Sequence, residues 1–99
     1  MGTKLRRSSG NVFRDLGFPP AEAENLRIRS ELMARLRKVI ESEDLTQAAA
    51  ARLFGVSQPR VSDLVRGRIE LFSIDTLVKM LAKAGVRVTV TARARTRAA

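Results

Sequence analysis

The chain has 99 residues, with 19 lysines and arginines against 10 aspartates and glutamates, and neither histidine nor cysteine. That length supports one small core in a single domain, and the formal charge of +9 points to a polyanionic partner, nucleic acid first. The missing residue types exclude disulfides, thiolate metal sites and the commonest general base and zinc ligand, so neither a cofactor nor a metal nor an enzymatic role is expected.

Residues 1–10, MGTKLRRSSG, are polar and basic and read as a disordered arm. No apolar run follows them as in a secretory signal, and no window approaches bilayer-spanning length, so a soluble, cytoplasmic protein with no membrane role is expected. The turn-rich NVFRDLGFPP comes next, with Val12, Phe13, Leu16 and Phe18 expected to dock onto a core; residues 1–18 together form the arm and docking segment. Pro19 and Pro20 mark a helix start, because a proline in the first turn removes a donor that has no intrahelical partner. Glu22 and Glu24 lie in that first turn, where the helix dipole favours negative charge.

Ile28, Leu32, Met33, Leu36, Val39 and Ile40 then make one stripe at helical spacing, with Arg27, Arg35 and Lys38 off it. Glu41, Glu43 and Asp44 form a solvated junction before the next helix. Two short helical segments follow, Gln47–Phe54 and Pro59–Val65. Thr46 caps the first, the alanines 48–51 favour helix, and Ala51 is small enough for a steep crossing of two backbones. Gly55 takes the positive φ that ends this helix, Val56 buries the turn, and Val61 and Leu64 anchor the second helix until Gly67 stops it. Ser57 or Gln58 caps that second helix. The second choice is favoured because it puts Pro59 at the first helical position and because a residue before proline is biased away from helical geometry. Together these are the parts of a helix-turn-helix, at about residues 46–66.

LFSIDTLVKMLAKAG is a further complete helix, with Ser73 as cap, Asp75 in the first turn, a staple of Phe72 on Leu77, and Gly85 as the stop. Ile74, Leu77, Val78 and Leu81 are expected to face the core, and residues 19–85 make up the helical domain. After Gly85 the period changes to two: Val86, Val88, Val90, Ala92 and Ala94 alternate with Arg87, Thr89, Thr91, Arg93 and Arg95. Residues 86–99 are therefore expected to form a half-buried strand and a basic tail. A lone strand cannot satisfy its backbone groups, so its partner is either the Asn11–Phe13 segment or the same strand of a second subunit. Pairing across a homodimer is preferred, since the sequence holds no second strong strand pattern. The fold class is mainly α, a helix-turn-helix domain with one C-terminal β-strand.

Phe13, Phe18, Phe54 and Phe72 are the whole aromatic complement, and each sits among apolar neighbours. Base-stacking recognition of single strands is thus poorly supplied, which favours duplex DNA.

The pattern L-T-Q-x-x-x-A-x-x-x-G-V-S-x-x-x-V-S-x-L-x-x-G resembles the Cro/phage-repressor type of helix-turn-helix, the XRE family. The wider frame, NVFRDLGF, AEAENLRIRSELM and SQPRVSDLVRGRIELFSIDTLVKML, resembles a subgroup of HigA-like antitoxins; the similarity covers roughly residues 11–91. The chain departs from the family at Asp44, where glycine is common, and at Ala50, where leucine is common. Asp tolerates the left-handed conformation, and Phe54 is available to fill the space beside Ala50.

The resemblance implies that the second helix enters the major groove with its N-terminal residues at base edges. The DNA-binding set is then Gln47, Ser57, Gln58, Pro59, Arg60, Ser62, Asp63, Arg66 and Arg68. By motif position Gln58 reads a base, most naturally adenine, and Gln47 bonds a phosphate or braces Gln58. Arg60 takes guanine or a phosphate, and Arg66 and Arg68 take phosphates. Asp63 either accepts from a cytosine amino group or pairs with Arg60 or Arg66, and Ser62 either meets DNA or bonds within the protein. Arg93, Arg95 and Arg97 track DNA, grip an acidic partner or remain in water. The implied function is a dimeric repressor of a palindromic operator that is also the antitoxin of a small toxin protein. The alternative is a stand-alone XRE-type regulator with no toxin partner.

Overall fold

The computed structural model describes residues 10–94, so most of the expected N-terminal arm, as well as Arg95 and Arg97, lies outside the described residues. Within them the chain forms α1 (Val12–Asp15), α2 (Pro20–Ser42), α3 (Gln47–Phe54), α4 (Gln58–Val65) and α5 (Ile74–Lys83), with a 3₁₀ turn at Ile69–Leu71 before α5. The longest helix, α2, packs against α1, α4 and α5, while α3 lies against both α4 and α5.

Pro20 opens α2 as its first helical residue, and the helix runs 23 residues, about 35 Å, ending with Ser42. Met33, Leu36 and Val39 of the expected stripe are buried, Leu32 and Ile40 pack at its edges, and Ala23 and Leu26 carry the buried face back into the first turns. On the outer face Arg27 donates to Glu24 at 2.6 Å and to Glu31 at 2.7 Å. The bond to Glu24 is the larger influence raising the Arg27 pKa above its already high ordinary value. Such solvent-facing pairs contribute little to stability.

The docking segment departs from expectation. Val12, Leu16 and Phe18 are exposed and only Phe13 is half-buried, its ring meeting the edge of Phe18 at 6.1 Å between centroids. What fixes this segment is polar. Asn11, 7 % exposed, accepts through Oδ1 from the Phe13 and Arg14 N–H groups and donates through Nδ2 to the Ala23 carbonyl at 3.1 Å. A one-turn helix has too little surface to bury, so its cap, rather than apolar docking, defines it.

Asp44 joins α2 to α3 with φ at 52°, the left-handed step anticipated for it, and the Leu45 N–H returns to the Ile40 carbonyl at 2.9 Å. Beyond it the core closes around Phe54 and Phe72, the two largest fully buried side chains, with Leu36, Ala50, Val61, Leu64, Leu77, Met80 and Leu81. Ala50 is wholly buried beside this cluster, so the small residue and the large Phe54 are both accommodated. On α5, Leu77, Met80 and Leu81 are buried, whereas Ile74 and Val78 are only half-buried.

After Gly85 the expected strand is absent: no β-structure occurs among the described residues. Val86 and Val88 pack on the core and Arg87 and Thr89 are exposed, so the alternation holds for four residues, but Val90 is 83 % exposed. Pairing with the Asn11–Phe13 segment is excluded, because that segment is the capped start of α1. The alternating pattern sets which side chains face inward; a strand additionally needs another backbone alongside it.

Gly55 has φ at +71°, and a Cβ added there would meet only the Lys83 side-chain end, at 2.5 Å from Cδ. That flexible end can swing away, so Gly55→Ala is expected to cost about 1–2 kcal/mol from backbone strain alone. Urea denaturation should show a lowered midpoint with an unchanged slope.

Candidate nucleic-acid interface

Thr46 accepts from the Ala49 N–H at 3.0 Å, capping α3 as expected. The N–H groups of Gln47 and Ala48 have no intrahelical partner and remain at the positive end of the helix dipole. At the other end Gly55 turns left-handed and the Val56 N–H bonds the Ala51 carbonyl at 3.0 Å, which swings the chain into α4.

The α4 cap is Ser57, not Gln58. The Ser57 hydroxyl accepts from the Arg60 N–H at 3.3 Å, Gln58 is the first helical residue and Pro59 the second. The preference against helical geometry before proline is overcome because the cap bond and the buried Val61 fix this register. Pro59 carries no N–H and Ser57 takes that of Arg60, so only the Gln58 N–H is left open at this terminus.

Gln47, Gln58, Pro59 and Ser62 line one open concavity of about 350 Å³, so the start of α3 and the outer face of α4 border the same surface. Gln47, Ser57, Gln58 and Pro59 are exposed, and Ser62 and Asp63 half-buried. Among the described residues the side chains of Gln47, Gln58, Ser62 and Asp63 make no hydrogen bond or ion pair within the protein. Of the two alternatives for Ser62 and Asp63, the internal one is therefore not used. Arg66 ends α4, and the left-handed Gly67, at φ 76°, sets Arg66 and Arg68 on either side of the turn, both exposed. The Arg68 N–H holds that turn by bonding the Asp63 carbonyl at 3.0 Å.

Arg60 has a different surrounding. Its Nη1 donates to the Leu71 carbonyl at 3.0 Å, and its guanidinium carbon lies 5.3 Å from the Phe72 ring centroid. Two arginines of α2 converge on the same connection: Arg29 Nη1 bonds the carbonyls of Ile69 and Phe72 at 3.1 and 3.3 Å, and Arg37 Nη1 reaches the Leu64 carbonyl at 3.5 Å. Neither Arg29 nor Arg37 carries a sequence signal for this role, since their partners lie 27 to 43 residues away.

Two short helices joined through a left-handed glycine, the second presenting its polar N-terminal half to solvent, define a helix-turn-helix protein. A family profile described as a helix-turn-helix domain matches residues 12–93. A solved structure of an XRE family transcriptional regulator is 36 % identical with a TM-score of 0.70, the alignment covering 79 % of this chain and 90 % of that one. No curated protein matches the chain. The chain belongs to this helix-turn-helix family and is a DNA-binding transcription regulator of the XRE type. No helix among the described residues is long and apolar enough to cross a membrane.

Ser57→Ala should lower stability by about 1 kcal/mol through loss of the cap, and Ser57→Asp should restore it. With the start of α4 against the duplex, the restored variant should still bind DNA less tightly, because it adds an anion there; denaturation and gel-shift titrations separate the two effects.

Proposed function

We propose that the protein is a homodimeric repressor that reads a palindromic operator through α4. The observation that carries this reading is the shared concavity of Gln47, Gln58, Pro59 and Ser62, whose polar side chains have no partner within the described protein. Gln58, at the first position of α4, reads adenine by a bidentate amide contact. Gln47 bonds a phosphate or braces Gln58, Ser57 and Pro59 fix the helix start against the duplex, Ser62 and Asp63 reach toward bases, and Arg66 and Arg68 take phosphates. Repression needs no chemistry, because a bound dimer obstructs polymerase by occupancy.

The homodimer is supported by the segment after Gly85. Val86 and Val88 face inward, Val90 is exposed, and the backbone there has no β-partner among the described residues. Pairing the segment with its twofold mate satisfies both backbones and covers Val90. The two copies of α4 would then meet half-sites about one helical turn, roughly 34 Å, apart.

The proposed role extends to neutralising a small toxin protein encoded beside the regulator, in the manner of the HigA-like antitoxins that the wider sequence frame resembles. Co-purification of an adjacent small gene product supports it; a regulator gene with no such neighbour supports a stand-alone XRE-type regulator instead.

DNase footprinting on the upstream region should show a protected palindrome that Gln58→Ala abolishes or relaxes, with a cost of about 1–3 kcal/mol confined to the contacted base pair. Absence of protection removes the repressor reading. Val90→Lys should convert the dimer to monomer in sedimentation equilibrium without lowering helix content; a dimer that persists removes the strand-pairing reading.

A further inference from the structure

Arg60 stands out because it lies in the recognition helix, carries the right charge for DNA, and yet is not turned toward the concavity. At 3.6 residues per turn Arg60 is roughly 160–200° around α4 from Gln58 and Ser62, on the flank next to Leu64. Its guanidinium is engaged with the Leu71 carbonyl and the Phe72 ring. Phe72 is itself 1 % exposed and packed in the core, so the ring is a fixed platform.

The connection from Leu64 to Phe72 carries two exposed cations, Arg66 and Arg68. It holds one 3₁₀ turn and a left-handed glycine, and short-range backbone bonds reach the carbonyls of Leu64, Gly67, Arg68 and Ile69. Guanidinium donors from three side chains add to these: Arg29 at Ile69 and Phe72, Arg37 at Leu64, and Arg60 at Leu71. Of these three arginines only Arg60 belongs to α4, and it joins that helix to the far end of the connection at Leu71, whereas the backbone bonds of Gly67 and Arg68 to Leu64 and Asp63 hold the near end.

We propose that Arg60 is a positioning residue for DNA binding: it locks the connection to α4 so that Arg66 and Arg68 are held at phosphate distance when Gln58 is in register with its base. The proposal rests on the reading of Arg66 and Arg68 as phosphate contacts. Charge-assisted donation to a carbonyl and stacking on a buried ring are both weakened in lysine, which lacks the planar fork.

A double-mutant cycle on the full chain tests it, with affinities measured for one duplex bearing the footprinted site and one scrambled duplex, at a temperature where every variant is folded by circular dichroism. Arg60→Ala should weaken binding to both duplexes by about tenfold, leaving their ratio unchanged, and should do so by less than about twofold in the Arg66→Ala/Arg68→Ala background. Arg60→Lys should recover part of the loss, through its remaining charge over the ring. Equal losses in the two backgrounds would mean that Arg60 touches DNA directly, and a changed ratio between the duplexes would mean that it reads a base; either overturns the proposal. Unchanged affinity in folded Arg60→Ala protein overturns it also, leaving Arg60 with a stability role alone. If Arg66→Ala/Arg68→Ala binds as tightly as the parent, the phosphate reading fails first, and the Arg60 proposal with it. Hydrogen exchange of the Leu71 and Phe72 amides in free protein gives a check without DNA: exchange should quicken in Arg60→Ala, and unaltered exchange counts against the lock.

Discussion

The left-handed step at Gly55 is the constraint on which the rest of the reading unit depends. It lets the Val56 N–H close back on the Ala51 carbonyl, so α3 ends within one residue and the chain leaves at a steep angle. From that exit Ser57 can cap α4 and Val61 and Leu64 can drop into the core beside Phe54. A right-handed residue at the same place would continue α3 and carry Ser57 past the position where its hydroxyl meets the Arg60 N–H. The concavity shared by Gln47 and Gln58 is therefore set by one backbone angle, and the side chains around it are consequences.

The second constraint is electrostatic and lies in the connection after α4. Carbonyls there accept from guanidinium groups of Arg29, Arg37 and Arg60 in addition to short-range backbone bonds. Part of the positive charge is thus engaged within the fold, while Arg66 and Arg68 are among the cations that face outward.

Much of this was legible in the sequence because the signals were local. Thr46, Gly55, Gly67 and Ser73 act at short range through backbone geometry, and each behaves as its residue type dictates. Asp44 shows the same logic at a position where the residue is unusual for the family. Misreadings arose where two local preferences competed or where the partner was distant. At Gln58 the bias before proline lost to the Ser57 cap bond and the burial of Val61. At NVFRDLGF apolar content suggested docking, yet the segment is fixed by the Asn11 amide bridging to Ala23, twelve residues on. The period-two pattern after Gly85 correctly placed Val86 and Val88 inward, but no pattern in one chain can provide the second backbone that a strand requires. Arg60 carried a motif position, which identifies a helix face only after its capping register and neighbours are known.

The side chains of α4 divide cleanly by whether the fold needs them. Val61, Leu64 and Arg60 have partners inside the molecule, whereas Gln58, Ser62 and Asp63 have none among the described residues. Substitution at the second group leaves no buried donor or acceptor orphaned and opens no cavity. Such positions can drift through many residue types while the scaffold stays folded. With α4 reading DNA as proposed, a gene duplication would give two paralogues free to acquire different target sequences, each by a handful of changes that need no compensation elsewhere in the chain.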